Sequence, residues 1–162
     1  MTELRIDYAR YDALVKDVIR QVSNSGFRPD YIVGINSGIQ AAIRIASYLD
    51  VKWHYLDART WLENGTESNF WMAEDAFAGK KILIVSDINS YGDEFQYIVD
   101  DWSSFGGVET EEQWESILHK TVKFAILVDN VNDEFESEYV GMEYQENLTE
   151  KVTFQHTEFW RF

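Results

Sequence analysis

The chain has 162 residues, 45% of them hydrophobic, which suits one compact domain with a sizeable core. It contains no cysteine, so disulfides and thiolate chemistry are excluded, and no apolar run reaches membrane-spanning length. With 29 acidic against 14 basic residues the formal net charge is −15, and no run of basic residues is visible, so nucleic acid is not expected as a partner.

The amino-terminal M-T-E-L-R-I-D has no signal-peptide core, and a soluble, cytoplasmic protein is expected. Tyr11, Leu14, Val15, Val18, Ile19 and Val22 recur at helical spacing, and the helix ends near Ser23-Asn24-Ser25-Gly26. Arg28-Pro29-Asp30 breaks the chain. Tyr31 to Ile35 then reads as a short apolar strand that runs into Asn36-Ser37-Gly38, after which Ile39, Ala42, Ile43 and Ala46 share a helical face. A third strand is expected over His54 to Ala58. The stretch from Arg59 to Gly79 is polar and poorly periodic, with a hairpin-turn signal at Asn64-Gly65, and suits either a lid beside a site or a surface hairpin.

The most informative segment is K-K-I-L-I-V-S-D-I-N-S-Y-G-D-E-F, from Lys80 to Phe95. Ile82 to Val85 is fully apolar and largely β-branched, as in a central strand covered on both faces. Polar residues crowd its carboxyl end, and Phe95, Ile98, Val99 and Trp102 resume helical spacing. At such strand-to-helix junctions, free N–H groups of the helix receive anions, and Gly92 would let the backbone approach one closely. The same residues also suit an ordinary turn in which Asp87, Asn89 and Ser90 cap the helix.

A short helix follows over Glu111 to Leu118, with Thr110 and Gln113 spaced as a capping box. Phe124 to Val128 is the next buried strand, ending in Asp129-Asn130. Tyr139 to Tyr144 and Val152 to Trp160 read as two shorter strands. His54, His119 and His156 are scattered and show no metal-ligand spacing. The alternation of strands and helices predicts an α/β fold, a mainly parallel central sheet flanked by helices.

The Lys80–Phe95 segment resembles the signature of type I phosphoribosyltransferases, where a hydrophobic strand ends in acidic residues and enters a phosphate-cradling turn. G-F-R-P-D-Y-I-V-G-I-N-S-G resembles the family's first strand and pyrophosphate loop. The tail, F-E-S-E-Y-V-G-M-E-Y and then V-T-F-Q-H-T-E-F-W, is similar to its closing hood. The three matches occur in the family's order and are most like the compact xanthine, guanine and hypoxanthine enzymes. The resemblance implies a core over about 27–130 and a small hood built from about 1–10 and 131–162.

It further implies transfer of ribose-5-phosphate from phosphoribosyl pyrophosphate to a purine base, with release of pyrophosphate and with Mg²⁺ as cofactor. Carried over by position, Asp87 and Ser90 stand at the catalytic positions, and Asp87 would also hold the metal. Ser86, Asp87, Asn89, Ser90, Tyr91, Gly92, Asp93 and Glu94 would surround the phosphoribosyl group. Asn36, Ser37, Gly38 and Arg59 would hold pyrophosphate, and Asn130, Phe154 and His156 would meet the base. The expected partners are these small molecules, with a homodimer or tetramer possible.

The sequence departs from the family at named positions. Ser86 replaces the first acid of the usual pair, and Ser90 stands where purine-type members carry a proton-accepting acid. Tyr91 and Glu94 replace the two threonines of the cradle, and Asn130 stands near the base-reading lysine. These departures suggest an alternative: a catalytically degenerate protein on the same fold that binds a nucleotide, a phosphoribosyl ligand or a protein partner in a regulatory role.

Overall fold

The computed structural model describes residues 2–56, 70–89, 93–104, 111–130, 135–144 and 150–155. A short strand, β1 (Thr2–Ile6), leads into helix α1 (Tyr8–Ser25). The Asp7 carboxylate caps α1 by accepting the Arg10 N–H at 2.8 Å, and Gly26 ends it at φ 76°, a conformation that suits a residue without Cβ. The helix buries Tyr11, Leu14, Val15, Val18 and Val22, a single stripe at the expected period.

Strand β2 (Tyr31–Ile35) is buried at all five residues, and a single 3-10 turn, Asn36–Gly38, joins it to helix α2 (Ile39–Leu49). Strand β3 (Lys52–Leu56), helix α3 (Phe70–Phe77), strand β4 (Ile82–Asn89) and helix α4 (Asp93–Ser103) follow. Helix α5 (Glu111–Ile117), strand β5 (Val122–Asn130), strand β6 (Tyr139–Tyr144) and strand β7 (Glu150–Phe154) complete the order.

The main sheet has five strands in the order β3-β2-β4-β5-β6, all parallel. Strand β4 is therefore central, as its uninterrupted apolar run predicts, and the sheet is the expected α/β architecture. Successive residues face opposite layers. Leu83 and Val85 join Ala125, Leu127 and Ile32 under α1 and α2. Ile82 and Ile84 join Val33, Phe124 and Ile126 under the other helices, with Phe95, Trp102 and Trp114. None of the helices described is long and apolar enough to cross a membrane.

Several boundaries differ from the sequence reading. The third strand occupies Lys52–Leu56 instead of starting at His54, because its ladder to β2 pairs Tyr31 with Lys52 and Ile35 with Leu56. Residues 70–77, read as part of a polar lid or hairpin, form a helix that buries Met72, Ala73 and Ala76. In α2 the fully buried side chains are Ala41, Ala42, Ile45 and Ala46, so the sheet-facing stripe is turned from the one expected through Ile39 and Ile43. The Asn64-Gly65 signal and Thr110 lie outside the described residues.

The hood expected from residues 131–162 divides. Tyr139–Tyr144 joins the main sheet as the neighbour of β5, and Glu150–Phe154 pairs with β1 in a separate two-stranded parallel sheet. Ile6 pairs with Phe154 there, and both are buried against α1 with Tyr11.

Candidate active site

Because β2, β4 and β5 are parallel neighbours, their carboxyl ends share one edge of the sheet. That edge gathers Asn36–Gly38 after β2, the Ser86–Asn89 end of β4, and Asn130 at the end of β5. Strand β4 continues through the polar residues because β5 supplies the partners: Ser86 pairs with Ile126, Ile88 with Val128 and Asn89 with Asp129. Ser86, Asp87 and Asn130 are thereby almost wholly buried. Polar groups removed from water this completely need hydrogen-bond partners, which Glu94 supplies to Ser86 and Ser37 supplies to Asp87.

The first turn is pressed against β4. A Cβ on Gly38 would lie 2.6 Å from Ser86 Cα and 2.8 Å from the Val85 carbonyl oxygen, so only glycine allows the two backbones to meet. Asn36 holds a left-handed φ of 51°, a conformation asparagine adopts more readily than most residues. The turn is thus fixed by contact with β4, and Ser37 is brought to Asp87.

Asp87 receives a hydrogen bond from the Ser37 side chain and further bonds from the Ile88 N–H and its own N–H. Burial nevertheless dominates and pushes its carboxyl up to about 6. Tyr11 lies close enough that the Asp87 charge adds to burial in holding its hydroxyl protonated well above the usual range. Tyr11 also meets Phe154 edge-on, with ring centroids 5.9 Å apart. The sequence marks Tyr11 only as a helix core position; the tertiary packing alone puts it between Asp87 and the β1–β7 pair.

Glu94, in the first turn of α4, ties the two strand ends together. Its Oε1 accepts a hydrogen bond from Asn36 Nδ2 at 2.9 Å, and its Oε2 accepts one from Ser86 Oγ at 2.9 Å. A carboxylate at a helix amino end is electrostatically favoured there. Here it also engages two of the residues expected to meet phosphate groups, 58 residues apart in the chain for the Asn36 bond.

Of the expected site residues, then, Asn36, Ser37, Gly38, Ser86, Asp87, Asn89, Glu94 and Asn130 come to one edge, and Asp93 opens α4 beside it. Phe154 is buried in the packing against Tyr11. Arg59, Ser90, Tyr91, Gly92 and His156 lie outside the described residues. No group of three or more His, Asp or Glu side chains positioned to hold a metal occurs among the described residues. The hard carboxylate oxygens of Asp87 suit Mg²⁺, which is commonly held by one or two carboxylates together with substrate phosphates.

Parallel five-stranded order, flanking helices and a strand-end site define the type I phosphoribosyltransferase fold. A purine phosphoribosyltransferase from Pyrococcus horikoshii superposes with a TM-score of 0.64 at 15% identity, over 95% of this chain and 93% of that one. The xanthine-guanine-hypoxanthine phosphoribosyltransferase of Helicobacter pylori gives 0.63 at 13% identity, over 98% and 91%. A hypothetical protein from Neisseria gonorrhoeae with bound ppGpp gives 0.64 at 11% identity, over 99% and 90%. No protein-family model matches the chain, and no curated protein matches it. The fold is shared at low sequence identity.

Proposed function

We propose that this chain is a phosphoribosyltransferase-like protein that transfers ribose-5-phosphate from phosphoribosyl pyrophosphate to a purine base. In that reaction the bond from the sugar's C1 to pyrophosphate breaks, a bond from C1 to a base nitrogen forms, pyrophosphate departs, and the nitrogen's proton passes to solvent or to the departing pyrophosphate. The observation that carries the reading is the convergence of the Asn36–Gly38 turn with the buried Ser86–Asp87 pair on one edge of a sheet of this fold. Asp87 is the group for a ribose hydroxyl or for Mg²⁺, which would supply charge neutralisation at the pyrophosphate. Asn36, Ser37 and Gly38 would position the leaving group, and Ser90 to Glu94 the 5-phosphate. Asn130 would hydrogen-bond the base, whose proton the neutral Ser90 hydroxyl cannot accept at neutral pH. The test is a screen of natural purines and pyrimidines with phosphoribosyl pyrophosphate and Mg²⁺; nucleotide from at least one base is expected, and none from any base refutes transfer.

One observation favours a second reading, ligand binding without turnover. The Glu94 carboxylate engages both Asn36 and Ser86, so an incoming phosphate would have to displace a like charge. The ppGpp in the Neisseria gonorrhoeae structure supports a nucleotide as the ligand under this reading. Saturable binding of a guanine nucleotide, with no product in the base screen, would select it.

A further inference from the structure

No basic run is visible in the sequence, yet the fold gathers cations where helices α1 and α2 pack side by side. A groove of about 690 Å³ between them is lined by Lys16 and Arg20 from α1 and by Arg44 from α2, with Ser23, Ser47 and Tyr48 around them. Among the described residues no carboxylate is part of the lining itself. In a chain with 29 acids and 14 bases, three cations converge on this groove, with Asp12 and Asp17 paired to Arg44 and Arg20 beside it. None of the strand-end residues of the candidate active site contributes to it, so it is a separate site.

Lys16 and Arg20 are four residues apart on one face of α1, a like-charge spacing that Asp12, four residues before Lys16, and Asp17, three before Arg20, offset within the helix. Arg44 is engaged by Asp12 at 2.6 Å and Arg20 by Asp17, but these pairs are solvent-accessible and worth little, so a stronger anion can exchange for them. Lys16 has no carboxylate partner among the described residues. Tyr48 leaves 68% of its surface exposed at the rim, so its ring is free to take a planar group.

We propose that the α1–α2 groove binds a small phosphorylated molecule carrying a planar ring, a nucleoside phosphate in class. Lys16, Arg20 and Arg44 neutralise the phosphates by charge-assisted hydrogen bonds, the Ser23 and Ser47 hydroxyls add neutral donors, and the Tyr48 ring receives the planar group. The volume lies within the range of small-molecule sites, and an acidic surface around a basic pocket rejects extended polyanions while admitting a compact one. The inference does not depend on the phosphoribosyltransferase reading.

The test is titration of the full chain, ¹⁵N-labelled and without Mg²⁺, with ATP, GTP and UTP, and separately with tripolyphosphate. At least one nucleotide should shift the Ser23, Asn24, Ser47 and Tyr48 amides saturably. Lys16→Glu combined with Arg44→Glu should weaken that binding about tenfold or more. Tyr48→Ala should weaken the nucleotide but leave tripolyphosphate unchanged. Lys16 and Tyr48 are exposed and Arg44 is half-buried outside the cores, and circular dichroism checks that the fold is kept. Shifts confined to Asn36–Gly38 and Ser86–Asn89 would report the strand-end cleft and overturn the proposal, as would no saturable shift from any nucleotide. Groove-dependent binding to anionic lipid vesicles with no nucleotide response would overturn it in favour of a membrane surface.

Discussion

Replacing Asp87 by asparagine separates the stability of the candidate site from its chemistry. The carboxyl is buried, and desolvation raises its pKa from 3.8 to about 6. The folded chain therefore holds this proton more tightly than the unfolded chain does. The resulting stabilisation is fully present below about pH 4 and is lost as pH rises through 6. At pH 7 the ionised group costs up to about 3 kcal/mol relative to acid, since each unit corresponds to about 1.4 kcal/mol. Asparagine carries no charge to desolvate, and like the protonated acid it offers one carbonyl oxygen to the Ser37 and Ile88 donors. Asp87→Asn should thus match the wild type near pH 4 and exceed it by up to about 3 kcal/mol at pH 7. For a domain of this size that is a rise of roughly 6–12 °C in Tm. Paired thermal melts from pH 4 to 8 measure the difference directly, and subtracting one chain from the other cancels the titration of the other 28 acids. The variant should simultaneously lose any Tm rise given by phosphoribosyl pyrophosphate with Mg²⁺. A difference between the two chains that does not change with pH, or a variant less stable at pH 7, would refute the desolvation argument.

Glu94→Gln removes the charge at the proposed phosphate position while keeping a side-chain carbonyl for Asn36 or Ser86, so under the proposed function affinity for phosphoribosyl pyrophosphate should rise about tenfold by calorimetry. Gly38→Ala forces a methyl to 2.6 Å from Ser86 Cα; urea unfolding should show a loss of about 1–3 kcal/mol, together with weaker phosphate binding. Phe154→Ala empties a buried site against Tyr11 and should cost about 3–5 kcal/mol in the same assay. A residue that only stacked on the base would raise KM and leave Tm in place.

The residues at the sheet edge were legible because strand-to-helix junctions carry a local signature. Apolar runs stop, small polar residues and glycine follow, and helical spacing resumes. Asn36–Gly38 and Asp87 stand at such ends, and Asn130 closes an apolar run that leads to another strand. The bond from Asn36 to Glu94 was not legible, because nothing local links a turn after β2 to the first turn of α4. Nor was the role of Tyr11, whose spacing is that of any core residue in α1.

By itself the sequence determined the elements buried on both faces, since the short apolar runs of β2, β4 and β5, alternating with helical spacing, suit a parallel sheet covered by helices. Tertiary structure alone decided the rest. Pairing with β2 set the bounds of β3, pairing with β5 drew β4 on through Ser86 and Asp87, and the sheet took Tyr139–Tyr144 from the hood. The packing of α1 on α2 assembled a basic groove from cations 28 residues apart, Lys16 and Arg44. The division has one physical cause. Periodicity records how a segment meets the core in general, whereas register, pairing and charge clustering depend on which other segment it meets.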